Sequence, residues 1–147
     1  MRTELAGFYP AFKRLRNVPY APLYTMRING SDNLTAKEKA ALAKLITGLK
    51  NLYGANLDGV ILYGSKARGD ATRNSDIDVM VILKEYDNWS AEFDKVAGLG
   101  YAVEEEYDYA LLLSFIIKKK EEYRVRQTPL LLNVRKEGVN LWTRQAA

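Results

Sequence analysis

Asp76 and Asp78, one residue apart, are the side chains of this sequence best placed to do chemistry. Side chains alternate across a strand, so in an extended segment both carboxylates leave the same face while Ile77 points to the other. Two unpaired carboxylates side by side repel and raise one pKa, and a divalent cation between them removes that penalty. Magnesium is typically held by one or two carboxylates, with water and substrate phosphate oxygens filling the remaining positions. Upstream, Gly64-Ser65 ends an apolar run. Glycine lacks a Cβ, so the chain can turn sharply there and let a phosphate approach the amides that follow. Ser65 adds a hydroxyl donor, and a helix opening over Ser65 to Arg68 would offer free amides to an anion. Lys66 and Arg68 could pair with triphosphate oxygens or stand as ordinary solvated charges. Taken singly, an Asp-x-Asp also fits a solvated strand face and a Gly-Ser also fits a plain turn, so the argument rests on the set.

Composition narrows the chemistry further. The chain has 147 residues, no cysteine and no histidine. Disulfides, thiolate zinc sites, cysteine nucleophiles and imidazole bases are therefore excluded, and a bound metal must take oxygen ligands, which favours magnesium, manganese or calcium. With 48% hydrophobic and 27% charged residues the chain is expected to fold rather than remain disordered. The net charge of +4 suits nucleotide phosphates or RNA, and equally an unspecialised basic protein. Apolar runs such as Ala110 to Leu113 and Phe115 to Ile117 fall far short of the ~20 residues that span a bilayer. The N-terminus carries Glu4 without an apolar signal core, so a cytoplasmic protein is expected.

The length suits one domain, read as residues 34–147, preceded by an extension over residues 1–33. Pro10, Pro19, Pro22 and the basic cluster Lys13-Arg14-Leu15-Arg16 set that extension apart as a segment that drapes over the domain or contacts a partner; Met26 as the natural start is the alternative. Thr35-Ala36-Lys37-Glu38 has the form of a capping box, and Leu42, Leu45, Ile46, Leu49, Leu52 and Tyr53 follow at helical spacing up to Gly54. Val60 to Tyr63 and Asp76 to Leu83 read as buried strands. Trp89 to Ala97 predicts a short helix ended by Gly98 and Gly100, and Tyr107 to Ile117 a third strand. Glu121 to Gln127 predicts a turn or two of helix, Thr128-Pro129 opens another helix, and Gly138 precedes the strand-like Val139 to Trp142. The result is an α/β (α+β) domain with a small mixed β-sheet flanked by helices. Tyr63, Trp89 and Trp142 are expected in core or half-buried positions rather than stacked on a base.

Gly64-Ser65-x-Ala67-Arg68-Gly69 followed by Ser75-Asp76-x-Asp78 resembles the signature of the minimal nucleotidyltransferases in the DNA polymerase β-like superfamily. The resemblance is close over residues 62 to 83 and looser over 34 to 142. It implies the nucleotidyltransferase fold. It also implies that Gly64 and Ser65, with Lys66, Arg68 and Ser75 beside them, hold the phosphates of a nucleoside triphosphate such as ATP, and that Asp76 and Asp78 bind two Mg2+ ions. The implied reaction transfers a nucleoside monophosphate to a hydroxyl, with pyrophosphate leaving. Paired metals about 3.5–4 Å apart suit an in-line displacement of this kind.

Active members of the family carry a third carboxylate on a neighbouring strand. Here Leu112 stands near where that acid is expected. On a regular strand Asp108 would share its face, about 13 Å away along the chain, which makes Asp108 the candidate third catalytic acid. Small free-standing relatives look like antitoxin subunits that add AMP to a HEPN-domain partner, and that is the leading expectation. The alternatives are transfer to a small molecule such as an aminoglycoside, with a homo-oligomer supplying the pocket, and a non-catalytic nucleotide- or partner-binding module. Nucleic acid is expected only as a tRNA or other RNA acceptor, and no membrane is expected.

Overall fold

The computed structural model describes residues 33–72 and 74–145; the expectations placed on residues 1–32 lie outside them. Helix α1, Ala36–Tyr53, opens on the expected capping box. Glu38 N donates to Thr35 Oγ1 at 3.1 Å and Thr35 N donates to Glu38 Oε1 at 2.9 Å, so two amides that the helix leaves without partners are satisfied reciprocally. Its buried face carries Leu42, Leu45, Ile46 and Leu49, each fully buried. A 3-10 turn, Gly54–Asn56, leads into β1, Leu57–Tyr63. A single helical turn, α2, Ser65–Arg68, follows, and then β2, Ile77–Leu83.

The four strands run in the order β3-β2-β1-β4, with β3 at Leu113–Lys119 and β4 at Val139–Thr143. β1 is antiparallel to both β2 and β4, while β2 and β3 are parallel, so the sheet is mixed as expected. A parallel pair needs a long crossover. Helix α3, Trp89–Glu106, supplies it. One face of the sheet, with Val60, Leu62, Val79, Val81 and Ile117, packs on α1 and α3 in the larger core. The alternate residues Ile61, Met80 and Ile82 face a smaller core closed by Leu131 and Val134 of helix α5, Pro129–Glu137. Asp78 and Tyr63 lie in the same alternation as Met80 and Ile61, on this second face.

Two expectations fail together, and for one reason. The helix read over Trp89 to Ala97 continues to Glu106, and the third strand begins at Leu113 rather than Tyr107. Gly98 and Gly100 do not stop the helix. A Cβ on Gly100 would overlap the ring of Phe115, 2.6 Å from its Cζ, so this glycine lets α3 lie close on β3. Val96, Leu99 and Val103 then bury one helical stripe and carry the helix through. The chain must reverse before β3 can start, and it does so with Asp108 (φ 51°) and Tyr109 (φ 58°) in the left-handed region. Tyr109 N and Asp108 N donate back to Glu104 O and Glu105 O. The β-propensity of this tyrosine-rich stretch yields to the crossover.

After β3, α4 covers Lys120–Val125, close to the expected Glu121 to Gln127. Thr128 caps α5 as read, its Oγ1 accepting from Leu131 N at 3.2 Å, with Pro129 in the first turn. Among the described residues no helix is long and apolar enough to cross a membrane. Trp142 packs against the larger core with Lys50 and Arg144 over its ring. Trp89 departs from its expected core position: it is 47% exposed, stacks on Phe93, and donates its indole N–H to Ile117 O.

Candidate active site

The end of β1, the start of β2 and the start of β3 meet at one end of the sheet. Tyr63 pairs with Asp78 across β1 and β2, and Asp78 pairs with Ser114 across β2 and β3. Gly64 follows at φ 72°, ψ −156°, a combination essentially restricted to glycine. A Cβ there would overlap the Asp78 carboxylate, 3.1 Å from its Cγ. The turn and the carboxylate are thus in direct apposition, which brings the two halves of the motif together.

α2 is built on this turn. Ala67 N and Arg68 N both donate to Gly64 O at 3.1 Å, and Gly69 N closes on Ser65 O at 2.9 Å with Gly69 left-handed. Ser65, as the first helical residue, and Lys66 beside it have no intrahelical acceptor for their amides. Ser75 shapes the approach to β2: its hydroxyl accepts from Thr72 N at 2.8 Å and its amide donates to Thr72 O at 3.1 Å. The Ser75 hydroxyl therefore fixes the turn that delivers Asp76.

Asp76 is exposed and Asp78 half-buried. Burial, then the neighbouring Asp76, hold the Asp78 pKa above the ordinary aspartate value, and Arg68 pulls the other way. Arg68 is exposed and reaches Asp70 at 3.2 Å and Glu137 at 3.6 Å. Burial and the Asp78 charge push the Tyr63 phenol up to about 12, so it stays protonated beside the carboxylate. The donor set fits a hard divalent cation: Asp76, just before β2, and Asp78, on it, are close enough to interact, and Asp78 carries an electrostatic penalty that a cation would remove. Among the described residues no cluster of three acidic side chains forms around them.

Two of the sequence-predicted residues are placed differently. Asp108 does not lie on a strand: it sits in the reversal after α3, so the shared strand face that made it the third acid does not exist. Lys66 does not present a free ammonium, because its Nζ lies 2.7 Å from Glu38 Oε2 with both side chains nearly buried. On β3 the residue facing Asp78 is Ser114, not an acid, and Leu112 just before the strand is 49% exposed.

Sequence reasoning missed Glu104. Its Oε1 accepts from Leu113 N at 2.8 Å, while Ile77 N, between the two aspartates, donates to Leu112 O at 2.9 Å. Glu104 thereby pins the start of β3 beside Asp76. Burial chiefly, and Asp76 in addition, raise its pKa, against the lowering effect of the Leu113 amide. Only its position as the last-turn residue of a longer α3 reveals this role, and the helix boundary hid it.

Comparison with known proteins identifies the family of the chain. The model of the nucleotidyltransferase domain family matches residues 42–137. Two proteins of Methanocaldococcus jannaschii, each named "Putative protein adenylyltransferase", are similar to the chain. One is 30% identical over 84 residues, 57% of this chain and 76% of that protein. The other is 42% identical over 64 residues, 44% of this chain and 62% of that protein. A crystal structure of a toxin-antitoxin with AMP-PNP aligns with a TM-score of 0.49 and 25% identity, covering 69% of this chain and 73% of that one.

Proposed function

The chain belongs to the nucleotidyltransferase domain family, and from that premise we propose that it is a minimal nucleotidyltransferase of the DNA polymerase β-like superfamily which moves AMP from ATP to a hydroxyl side chain of a HEPN-domain partner, as an antitoxin subunit in the cytoplasm. The apposition of Gly64 with Asp78 carries this reading, since it joins a phosphate-accepting turn to a paired-carboxylate edge. The names of the M. jannaschii relatives favour a protein as the acceptor.

In this mechanism the Gly64-Ser65 turn receives the β and γ phosphates through backbone amides and the Ser65 hydroxyl. Arg68, close enough to act on Asp78, adds positive charge over the triphosphate. Asp76 and Asp78 would hold Mg2+, which when bound screens the phosphates and activates the two oxygens of the displacement. The acceptor oxygen bonds to the α-phosphorus, the bond from that phosphorus to the bridging oxygen breaks, and pyrophosphate leaves with the electron pair. With Ser114 facing Asp78 in place of an acid, the hydroxyl proton passes to the aspartate pair or to solvent.

The test is intact-mass measurement of a candidate HEPN-domain partner after incubation with ATP, Mg2+ and this chain. An added AMP that disappears with Asp76→Asn and with Asp78→Asn supports the proposal. Normal transfer by both variants refutes the site. Ser114 specifically favours a second reading, a nucleotide-binding module that performs no transfer. AMP-PNP binding without pyrophosphate release from ATP, partner present, would select it.

A further inference from the structure

Glu38 is the charged residue that stands out as buried among the described residues, 7% exposed, and its two carboxylate oxygens have different partners. Oε1 accepts from Thr35 N and completes the capping box of α1, a task a glutamine would perform equally. Oε2 takes the Lys66 ammonium at 2.7 Å, with the two side chains 10% and 12% exposed. Nothing in the helix cap calls for that second contact. A pair so far out of water gains little net stability, because desolvation offsets most of the attraction. What it fixes is position.

The position fixed is that of the phosphate turn. α2 is four residues long, bounded by Gly64 and Gly69, both at positive φ. A single turn cannot sustain itself in water, so its geometry must be imposed from outside. The start of α1 imposes it at further points: Asn33 Nδ2 donates to Ala67 O at 3.3 Å, and the Asn33 side chain lies 3.0 Å from where a Cβ on Gly69 would stand.

We propose that Glu38 is a positioning residue which, through Lys66, holds the Gly64–Gly69 turn in the shape that accepts the triphosphate, so that Lys66 serves as a strut between α1 and α2. The proposal rests on the nucleotidyltransferase reading for its functional consequence, while the strut itself is open to a direct structural test.

The experiment measures hydrogen–deuterium exchange at residues 64–70, melting temperature, and AMP-PNP affinity with Mg2+ in the full chain. The proteins compared are the wild type, Glu38→Gln, Lys66→Met and the conservative Lys66→Arg. Glu38→Gln keeps the Thr35 contact but leaves the Lys66 ammonium without its partner, as Lys66→Met does the Glu38 carboxylate, so both should melt below the wild type and exchange at residues 64–70 is read relative to the rest of the chain. Both Glu38→Gln and Lys66→Met should speed exchange across the turn and weaken AMP-PNP by about tenfold, and Lys66→Arg should recover both. Unchanged exchange in Glu38→Gln and Lys66→Met overturns the strut. So does a loss of affinity in Lys66→Met alone with Glu38→Gln unaffected, because that pattern marks Lys66 as a direct phosphate ligand. If the wild type binds no AMP-PNP, the nucleotidyltransferase reading fails, and the exchange measurement still decides the strut.

Discussion

Gly64 and Asp78 stand so close that a Cβ on the glycine would occupy the space of the Asp78 carboxylate. The glycine also holds a backbone conformation that costs other residues about 1–3 kcal/mol. Gly64→Ala is therefore expected to destabilise the fold by about that amount or more, and to abolish nucleotide binding by moving the turn off Asp78. Denaturant titration and AMP-PNP calorimetry on the same preparation check both parts. A variant that folds and binds normally would show that the turn and the carboxylate do not share one site.

Asp78 yields a prediction in which losing a charge stabilises the protein. Its folded pKa is raised by burial and by Asp76, so folding favours the protonated form. The resulting penalty is absent below the unfolded aspartate value and grows as pH rises through the folded one. In metal-free buffer at neutral pH Asp78→Asn should melt higher than the wild type, and the gap should close as pH falls into the acidic range. Mg2+ should raise the wild-type melting temperature and leave Asp78→Asn nearly unmoved. Calorimetric melts at several pH values, with and without Mg2+, give the comparison.

Ser114 faces Asp78 from the parallel neighbour strand and sits on the same side of the sheet. Replacing it with an acid would set a third carboxylate against the first two. Ser114→Asp should lower the melting temperature without metal, since a third negative charge joins the cluster, and should tighten Mg2+ binding severalfold. If an acid at position 114 completes the site, pyrophosphate release should rise in the same variant. A Mg2+ affinity equal to that of the wild type would show that position 114 does not address the cation.

These positions also show why parts of the site could be read in the sequence and parts could not. The capping box at Thr35 and Glu38, the apolar strands, the turn at Gly64-Ser65 and the pair Asp76 and Asp78 are local signals, carried by residues within a few positions of one another. Ser114 becomes a site residue only through the β2–β3 register, which no local pattern encodes. Lys66 reads as a phosphate ligand in isolation and becomes a strut only because α1 returns to the turn with Glu38. Asp108 falls on a strand only if the β-prone run of β3 begins at Tyr107, and it does not, because α3 continues through its glycines.

Gly100 puts that last point to a direct test. Helix propensity alone says that Gly100→Ala should stabilise α3 by about 1 kcal/mol. The packing says the opposite, because the added methyl would overlap the Phe115 ring on β3. Overfilling a packed interior costs about 1–3 kcal/mol. The net expectation is destabilisation, together with a shift of α3 that loosens the Glu104 contact with Leu113 N. Trimming the opposing ring in the double variant Gly100→Ala, Phe115→Leu should recover part of the loss relative to Gly100→Ala, a non-additivity that a denaturation-based mutant cycle measures. Stabilisation by Gly100→Ala alone would mean that the glycines do not set the distance between α3 and the sheet, and the account of the displaced strand start would fall with it.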